Sequence, residues 1–337
     1  MTQPESNGPT PERLMQFAWG YAAPIIISTA VNLGVFDQLD RGPGTAAEVA
    51  AAIEGTERGA RGVLNALVGL GLLSKTGDRY ALTPESATFL VSHKPGYYGT
   101  FFGHMTGQLI PKWLQLDDVV RTGNPAMSVN SEGNGTEFFE KFVESLFPIS
   151  YRAAQTVAAN LRLAEAGAAS VLDLAAGSGV WGIALAQAGP AIRVTAVDWP
   201  GVLVVTKRVA GRFGLEDRFT FSPGDLHEAD FGSGHRVATL GHILHSEGEE
   251  RSKALLCKTF AALASGGTIA IAEFVPNDER TGPPHTLFFA VNMLVNTDAG
   301  DAFTFAEISA WLKEAGFVNV RQLEAPAPSP LILADKP

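Results

Sequence analysis

The chain is almost without cysteine. Cys257 is the single one in 337 residues, so neither an internal disulfide nor a cysteine-based zinc site is possible. Beside Leu256 and Phe260 on a helical pattern, it reads as a small core residue. Basic charge is also scarce: 25 Lys and Arg stand against 35 Asp and Glu, a net charge of −10. That balance argues against a general affinity for nucleic acid, whose phosphates reward clustered cations, and favours a freely dispersed protein. Long apolar runs are missing too. The longest weakly polar stretch, 22–36, is interrupted by Pro24, Ser28, Thr29 and Asn32; it is too short to span a bilayer, and it reads as a buried helix with no membrane role. The first twelve residues lack a basic start followed by an apolar stretch, so no secretory signal is visible and a cytoplasmic location is expected. No spacing of His and carboxylate residues suggests a metal site.

What is present suffices for a large core. With 46% hydrophobic and 18% charged residues, a chain of this length exceeds the usual size of one domain. The pattern divides it into a polar tail at 1–11, expected to be disordered, and a mostly helical region at 12–95. A helical connecting segment at 96–165 and an α/β domain at 166–337 follow. Within the second region, helices at 46–53 and 57–73 precede a small wing at 78–82, the order of a winged helix. Its charges cancel: Arg58, Arg61, Lys75, Arg79 and Lys94 face Glu48, Glu54, Glu57, Asp78 and Glu85. A duplex-binding face is plainly basic, so a dimerising or packing role is favoured over that of a transcription regulator. The connecting segment is rich in aromatics and is interrupted by a Gly-, Asn- and Ser-rich loop at 122–136.

From residue 169 onward, strands alternate with helices, the signature of a parallel sheet covered on both faces. Strands fall near 170–174, 192–197, 218–222, 236–241 and 268–273. A closing pair at 317–323 and 330–334 is joined by a turn at 325–330. The stretch V-L-D-L-A-A-G-S-G-V-W-G from Val171 to Gly182 ends an apolar strand in a glycine turn that opens a helix. Gly177, Gly179 and Gly182 satisfy the G-x-G-x-x-G spacing of a nucleotide pocket. Asp198 closes the second strand and Asp225 follows the third, and two carboxylates at successive strand ends can hold a ribose diol and an adenine edge. A nicotinamide oxidoreductase would suit the glycine spacing equally; the closing hairpin and the absence of a further domain after the sheet count against it.

The order of motifs, over essentially the whole chain, resembles the S-adenosylmethionine-dependent O-methyltransferases of the plant caffeate type and their bacterial relatives that decorate aromatic natural products. The resemblance implies a seven-stranded, Rossmann-like class I methyltransferase sheet preceded by a mostly helical winged-helix dimerisation domain. It also implies a homodimer, S-adenosylmethionine as donor and S-adenosylhomocysteine as product. The family's D-x-G-G-G-x-G turn reads here Asp173, Leu174, Ala175, Ala176, Gly177, Ser178, Gly179, with two glycines replaced by alanines. Its ribose acid matches Asp198 in Asp198-Trp199-Pro200, where Trp199 either covers the adenine or packs as a partly buried hydrophobe. Its adenine-side acid matches Asp225, with Gly224 and Leu226 beside it.

The family's I-L-H-D-W signature matches Ile243, Leu244, His245, Ser246, Glu247. This makes His245 the candidate general base, just past a strand, and Glu273, at the end of the next strand, the acid that orients it. A second family acid falls at Ala302, with Asp301 one residue earlier as an open substitute. The family's tryptophan is Glu247 here and its lysine is Gly241. His242 is a candidate second polar wall of the acceptor pocket. His93, His104, His227, His235 and His285 lack a comparable paired acid and read as structural or solvated. A flat, apolar acceptor pocket is expected from Phe101, Met105, Trp113 and Phe138, together with Phe142, Phe147, Phe289 and Met293; Met293 matches a family position that packs on the acceptor.

The sulfonium donor carries an already electrophilic methyl, so its chemistry needs positioning rather than a metal. A phenol with a pKa near about 10 meets an imidazole near about 6.5, so proton removal accompanies transfer. Such general-base help is worth about 10² to 10⁴ in rate. C- or N-methylation, or a non-methylating reaction on the same fold, stays open.

Overall fold

The computed structural model describes residues 9–129, 133, 139, 142–326 and 330–337. Of the expected tail, residues 1–8 lie outside this set, as do Phe138 and residues 327–329 of the closing turn. The chain forms two compact units, Met1–Ile110 and Pro111–Pro337, so the expected connecting segment at 96–165 is shared between them.

In the first unit, Thr45 and Thr56 start the helices Ala46–Ala52 and Glu57–Gly69. Their hydroxyls accept the backbone N–H groups of Glu48 and Gly59, both at 3.2 Å, which satisfies donors that a helix start leaves free. The second helix stops short of the expected residue 73, and Gly71 turns the chain at φ 74°. A hairpin follows: β2 (Leu73–Thr76) pairs antiparallel with β3 (Arg79–Leu82), and the short β1 (Gly44–Thr45) lies on the other side of β3. Phe36, Leu64, Leu67 and Tyr80 fill the core beneath.

The 22–36 stretch is not one buried helix. Gly34, at φ 72°, divides it into Ala22–Asn32 and Val35–Asp40, and only Ile27, Ser28 and Ala30 of the first piece are buried. Upstream, Leu14, Phe17, Trp19 and Tyr21 are exposed. Counted from Glu12 to Asn32, the segment has 21 residues and a stretch of 18 with a mean hydropathy of 1.3, enough by length and composition to cross a membrane, although a turn at 19–21 interrupts it.

The second unit is built on a seven-stranded sheet. Its strands are β4 (Ala169–Leu174), β5 (Ile192–Asp198), β6 (Phe219–Pro223), β7 (His235–Gly241), β8 (Leu263–Ala272), β9 (Val318–Leu323) and β10 (Leu331–Asp335), in spatial order β6-β5-β4-β7-β8-β10-β9. The first five are parallel, and β10 runs antiparallel between β8 and β9. Alternation along each strand splits the core into two layers. Val171, Val194, Ala196, Val237 and Ala270 face the layer packed by helices Phe147–Asn160, Val180–Gln187 and Pro200–Arg212. Leu172, Leu174, Val197, Leu240 and Ile271 face the layer packed by Leu244–Ala262 and Phe305–Glu314. Cys257 is exposed rather than a core residue; on the helix Leu244–Ala262 the buried stripe runs through Leu255, Leu256 and Thr259 and leaves it outside.

Parallel register sets the functional edge. Asp198 lies opposite Pro223, and Gly241 opposite Ala272, so the ends of β5, β6, β7 and β8 come level. Ligands of open α/β sheets bind at this carboxyl edge.

Candidate active site

The glycine turn after β4 is held from below by Asp173. Its carboxylate, fully buried, accepts the Gly182 N–H at 2.9 Å and the Thr239 hydroxyl at 2.7 Å. Burial raises its pKa to about 7, against the lowering effect of those two bonds. Any part Asp173 plays in ligand binding therefore passes through the loop it anchors. A Cβ on Gly182 would meet Val194 Cγ1 at 2.8 Å and Asp173 Oδ2 at 2.9 Å, so the helix packs this close to the sheet only with glycine there. Ala175, in place of a family glycine, sits at φ 50°, a left-handed conformation that costs an L residue roughly 1–2 kcal/mol.

Asp198 closes β5 and receives this loop. Its Oδ2 accepts the Gly177 N–H and its Oδ1 the Trp199 N–H, both at 2.8 Å. Each oxygen keeps a further acceptor site, and the residue is only half-buried. Burial raises the carboxyl pKa to about 6, against the two backbone bonds. Trp199 is half-buried against the core, 6.2 Å from the Phe139 ring. Gly224 N–H reaches Asp198 O at 3.0 Å, which brings Asp225 to the same edge. Asp225 Oδ1 accepts the His227 N–H at 2.9 Å and lies 3.6 Å from Arg251 Nη2. Leu226, by contrast, is buried in the core, and its carbonyl accepts from Lys258 Nζ at 2.9 Å.

The other half of the edge is aromatic and basic. Past β7, His242 adopts φ 62°, its N–H bonded to Ala272 O at 2.8 Å. Its Nδ1 is buried without a hydrogen-bond partner among the described residues. Burial holds its pKa down to about 4, so the ring is neutral. His245, 9% exposed, faces Glu273, 2% exposed: Nδ1 lies 2.8 Å from Oε2, and the His245 N–H reaches Oε1 at 3.3 Å. Phe289 meets the His245 ring edge-on at 4.7 Å, and Phe274 packs on Phe289 at 4.1 Å.

Ligand atoms of His242, His245 and Glu273 all lie within 4.8 Å of one another. The fold thus assembles a three-ligand group that the spacing along the chain gave no sign of. Its closest pair, His245 and Glu273, is at hydrogen-bond distance.

The remaining site residues scatter. Met293 is buried on the Pro284–Asn296 helix that carries Phe289, and Trp113 Nε1 bonds to Asn292 Oδ1 of that helix at 2.9 Å. Phe142 stacks on Phe139 at 5.6 Å, and so lies on the Trp199 side. Phe147 stacks on Tyr151 and Phe213, a packing position rather than a pocket one. Phe101 and Met105 belong to the first unit, where Phe101 stacks on Tyr98 at 4.8 Å; Phe138 lies outside the described residues. Asp301 donates its N–H to His245 O at 2.9 Å, while its carboxylate lies 3.5 Å from Arg280. Ala302 is fully buried. The expected lysine position, Gly241, has no room for a side chain, because a Cβ there would collide with the Trp181 indole.

Two of the histidines read as structural or solvated have carboxylate partners. His93 Nε2 lies 3.2 Å from Asp40 Oδ2 at the surface, and His227 Nε2 lies 2.7 Å from Glu247 Oε2. The signal for the second is Glu247 itself: a carboxylate at a position where the family motif has tryptophan is buried only with partners.

A seven-stranded sheet of this order, with carboxylates at the tips of β5 and β6 and an acid-held histidine after β7, defines a class I methyltransferase fold. Comparison with known proteins agrees. Residues 113–318 match the O-methyltransferase domain and residues 15–92 the O-methyltransferase dimerisation domain. The chain is 31% identical over 334 residues to the 3-hydroxy-5-methyl-1-naphthoate 3-O-methyltransferase of Streptomyces sahachiroi, covering 97% of this chain and 94% of that protein. It is 29% identical over 346 residues to the tetracenomycin polyketide synthesis 8-O-methyl transferase of Streptomyces glaucescens, with 99% of each covered. The crystal structure of human N-acetylserotonin methyltransferase in complex with S-adenosylmethionine superposes with a TM-score of 0.83 at 26% identity, over 99% of both chains. The chain belongs to the O-methyltransferase family, and it is an S-adenosylmethionine-dependent methyltransferase.

Proposed function

We propose that this enzyme methylates a hydroxyl of a small aromatic natural-product acceptor, with His245 as general base and Glu273 as the acid that orients it. The observation that carries the reading is the buried contact of 2.8 Å between His245 Nδ1 and Glu273 Oε2, flanked by Phe274 and Phe289. A carboxylate on Nδ1 favours the tautomer with the proton there, which leaves the lone pair on Nε2 for the acceptor proton. Phe274, Phe289 and Met293 supply apolar surface for a flat ring, and Trp113 is tied to the same helix.

Asp198 and Asp225 would hold the cofactor's ribose hydroxyls and adenine amine, and the backbone of 175–179 its methionine end. The spare acceptor sites on Asp198 suit it to bind a diol. Bound there, S-adenosylmethionine supplies a methyl group on a positively charged sulfur. The chain's own part is to hold the acceptor oxygen in line and take its proton as the bond forms. Exposed Leu14, Phe17, Trp19 and Tyr21, at the start of the dimerisation domain, support a homodimer that covers them.

The test is incubation with isotopically labelled donor and a panel of phenols, naphthols and hydroxy-naphthoates. Mass spectrometry should find the label on an acceptor oxygen; label on carbon or nitrogen would overturn the O-methylation reading.

A further inference from the structure

Glu247 stands where the family signature has tryptophan, and it is 8% exposed. A carboxylate that deep is stabilised only by charged or donating neighbours. It has two. His227 Nε2 lies 2.7 Å and Arg251 Nε 2.8 Å from its Oε2. Both partners also touch Asp225, and both on the same oxygen: the His227 backbone N–H donates to Oδ1 at 2.9 Å, and Arg251 Nη2 lies 3.6 Å from Oδ1. Protein contacts thus fall on Oδ1 of this carboxylate. Lys258, further along the helix that bears Glu247, bonds to Leu226 O at 2.9 Å and Ala229 O at 2.6 Å, so the helix grips the 225–229 loop at several points.

Local backbone makes this reach possible. Gly248 breaks the helix just after Glu247, at φ 76° and ψ 173°, and a Cβ there would lie 2.7 Å from Ala299 O. The short first turn, which also carries His245, is thereby set off from the rest of the helix.

We infer that Glu247 is a positioning residue for cofactor binding, which through His227 and Arg251 orients the Asp225 carboxylate that receives the adenine amine. This rests on the reading of Asp225 given above. The replacement of tryptophan by glutamate then has a physical consequence, since an ionic network in this chain aims the adenine-side acid. Charge-assisted hydrogen bonds of this kind are stronger than neutral ones and fix geometry as well as energy.

The experiment is calorimetric titration of the full-length protein with S-adenosylhomocysteine, alongside thermal melting and steady-state kinetics. Glu247→Gln should weaken binding roughly tenfold, raise the donor KM in proportion, and leave kcat at saturating donor within about twofold. Arg251→Met, which removes one of the two Glu247 partners, should weaken binding in the same direction, with thermal melting confirming that the variant is folded at the temperature of the titration. The decisive comparison is Asp225→Asn with and without Glu247→Gln. If Glu247 acts through Asp225, the second substitution adds little to the first. Wild-type affinity in Glu247→Gln, or its full penalty in the Asp225→Asn background, would overturn the inference. If Asp225→Asn binds like wild type while Glu247→Gln does not, the adenine-side reading of Asp225 is what fails, and the proposed route fails with it.

Discussion

Glu273 engages both carboxylate oxygens with one residue: Oε2 lies 2.8 Å from His245 Nδ1, and Oε1 accepts the His245 backbone N–H at 3.3 Å. Ring and backbone are fixed by the same acid. Burial alone would raise the Glu273 pKa, but the His245 charge and hydrogen bonds outweigh it and hold the carboxyl below its ordinary value. The acid therefore stays ionised beside the imidazole and stabilises the imidazolium that forms as the acceptor proton is taken.

Glu273→Gln tests that arrangement. The amide can donate to Nδ1 and so favour the wrong tautomer, with the proton on Nε2. We expect kcat to fall roughly 10²-fold while S-adenosylhomocysteine affinity is unchanged. Rates like those of the wild type would show that His245 needs no orienting charge.

Asp198 makes cofactor binding sensitive to acid. Burial raises its pKa to about 6, and only the ionised form offers all its acceptor sites to ribose hydroxyls. Affinity for S-adenosylhomocysteine should fall as the pH drops through about 6, approaching tenfold per unit below it. Calorimetry across roughly pH 5 to 8 reads this directly, and an affinity independent of pH would remove Asp198 from the contact.

Ala175 is strained by its left-handed backbone, at φ 50°. Ala175→Gly relieves that strain while loosening the unfolded chain, which offsets part of the gain; a net stabilisation of up to about 1 kcal/mol is expected. Ala175→Val should destabilise, since a branched side chain tolerates this region poorly. Urea midpoints of the two variants check the sign, and a less stable glycine variant would contradict it.

Much of the catalytic half was legible in the sequence, because strands buried on both faces read as apolar runs and each ends in a recognisable acid or histidine. Asp198 and Asp225 stand out from that pattern, whereas Asp173, His245 and Glu273 take their roles from the resemblance to the family's motifs. What it hid depends on distance along the chain. His227 and Glu247 are 20 residues apart on different elements, and His242 reaches the His245–Glu273 pair only because β7 and β8 run in register. Cys257 failed for a related reason: apolar neighbours in sequence do not say which face of a helix is buried. At the N-terminus, apolar character does not amount to burial: of the helix Ala22–Asn32 only Ile27, Ser28 and Ala30 are buried, and most of the rest is half-buried.

The role of His245 as base is tested most directly by His245→Ala, measured with the acceptor that gains the label. We predict a kcat lower by about 10² to 10⁴, with the calorimetric affinity for S-adenosylhomocysteine preserved. Undiminished methyl transfer in that variant would contradict a general base at this position.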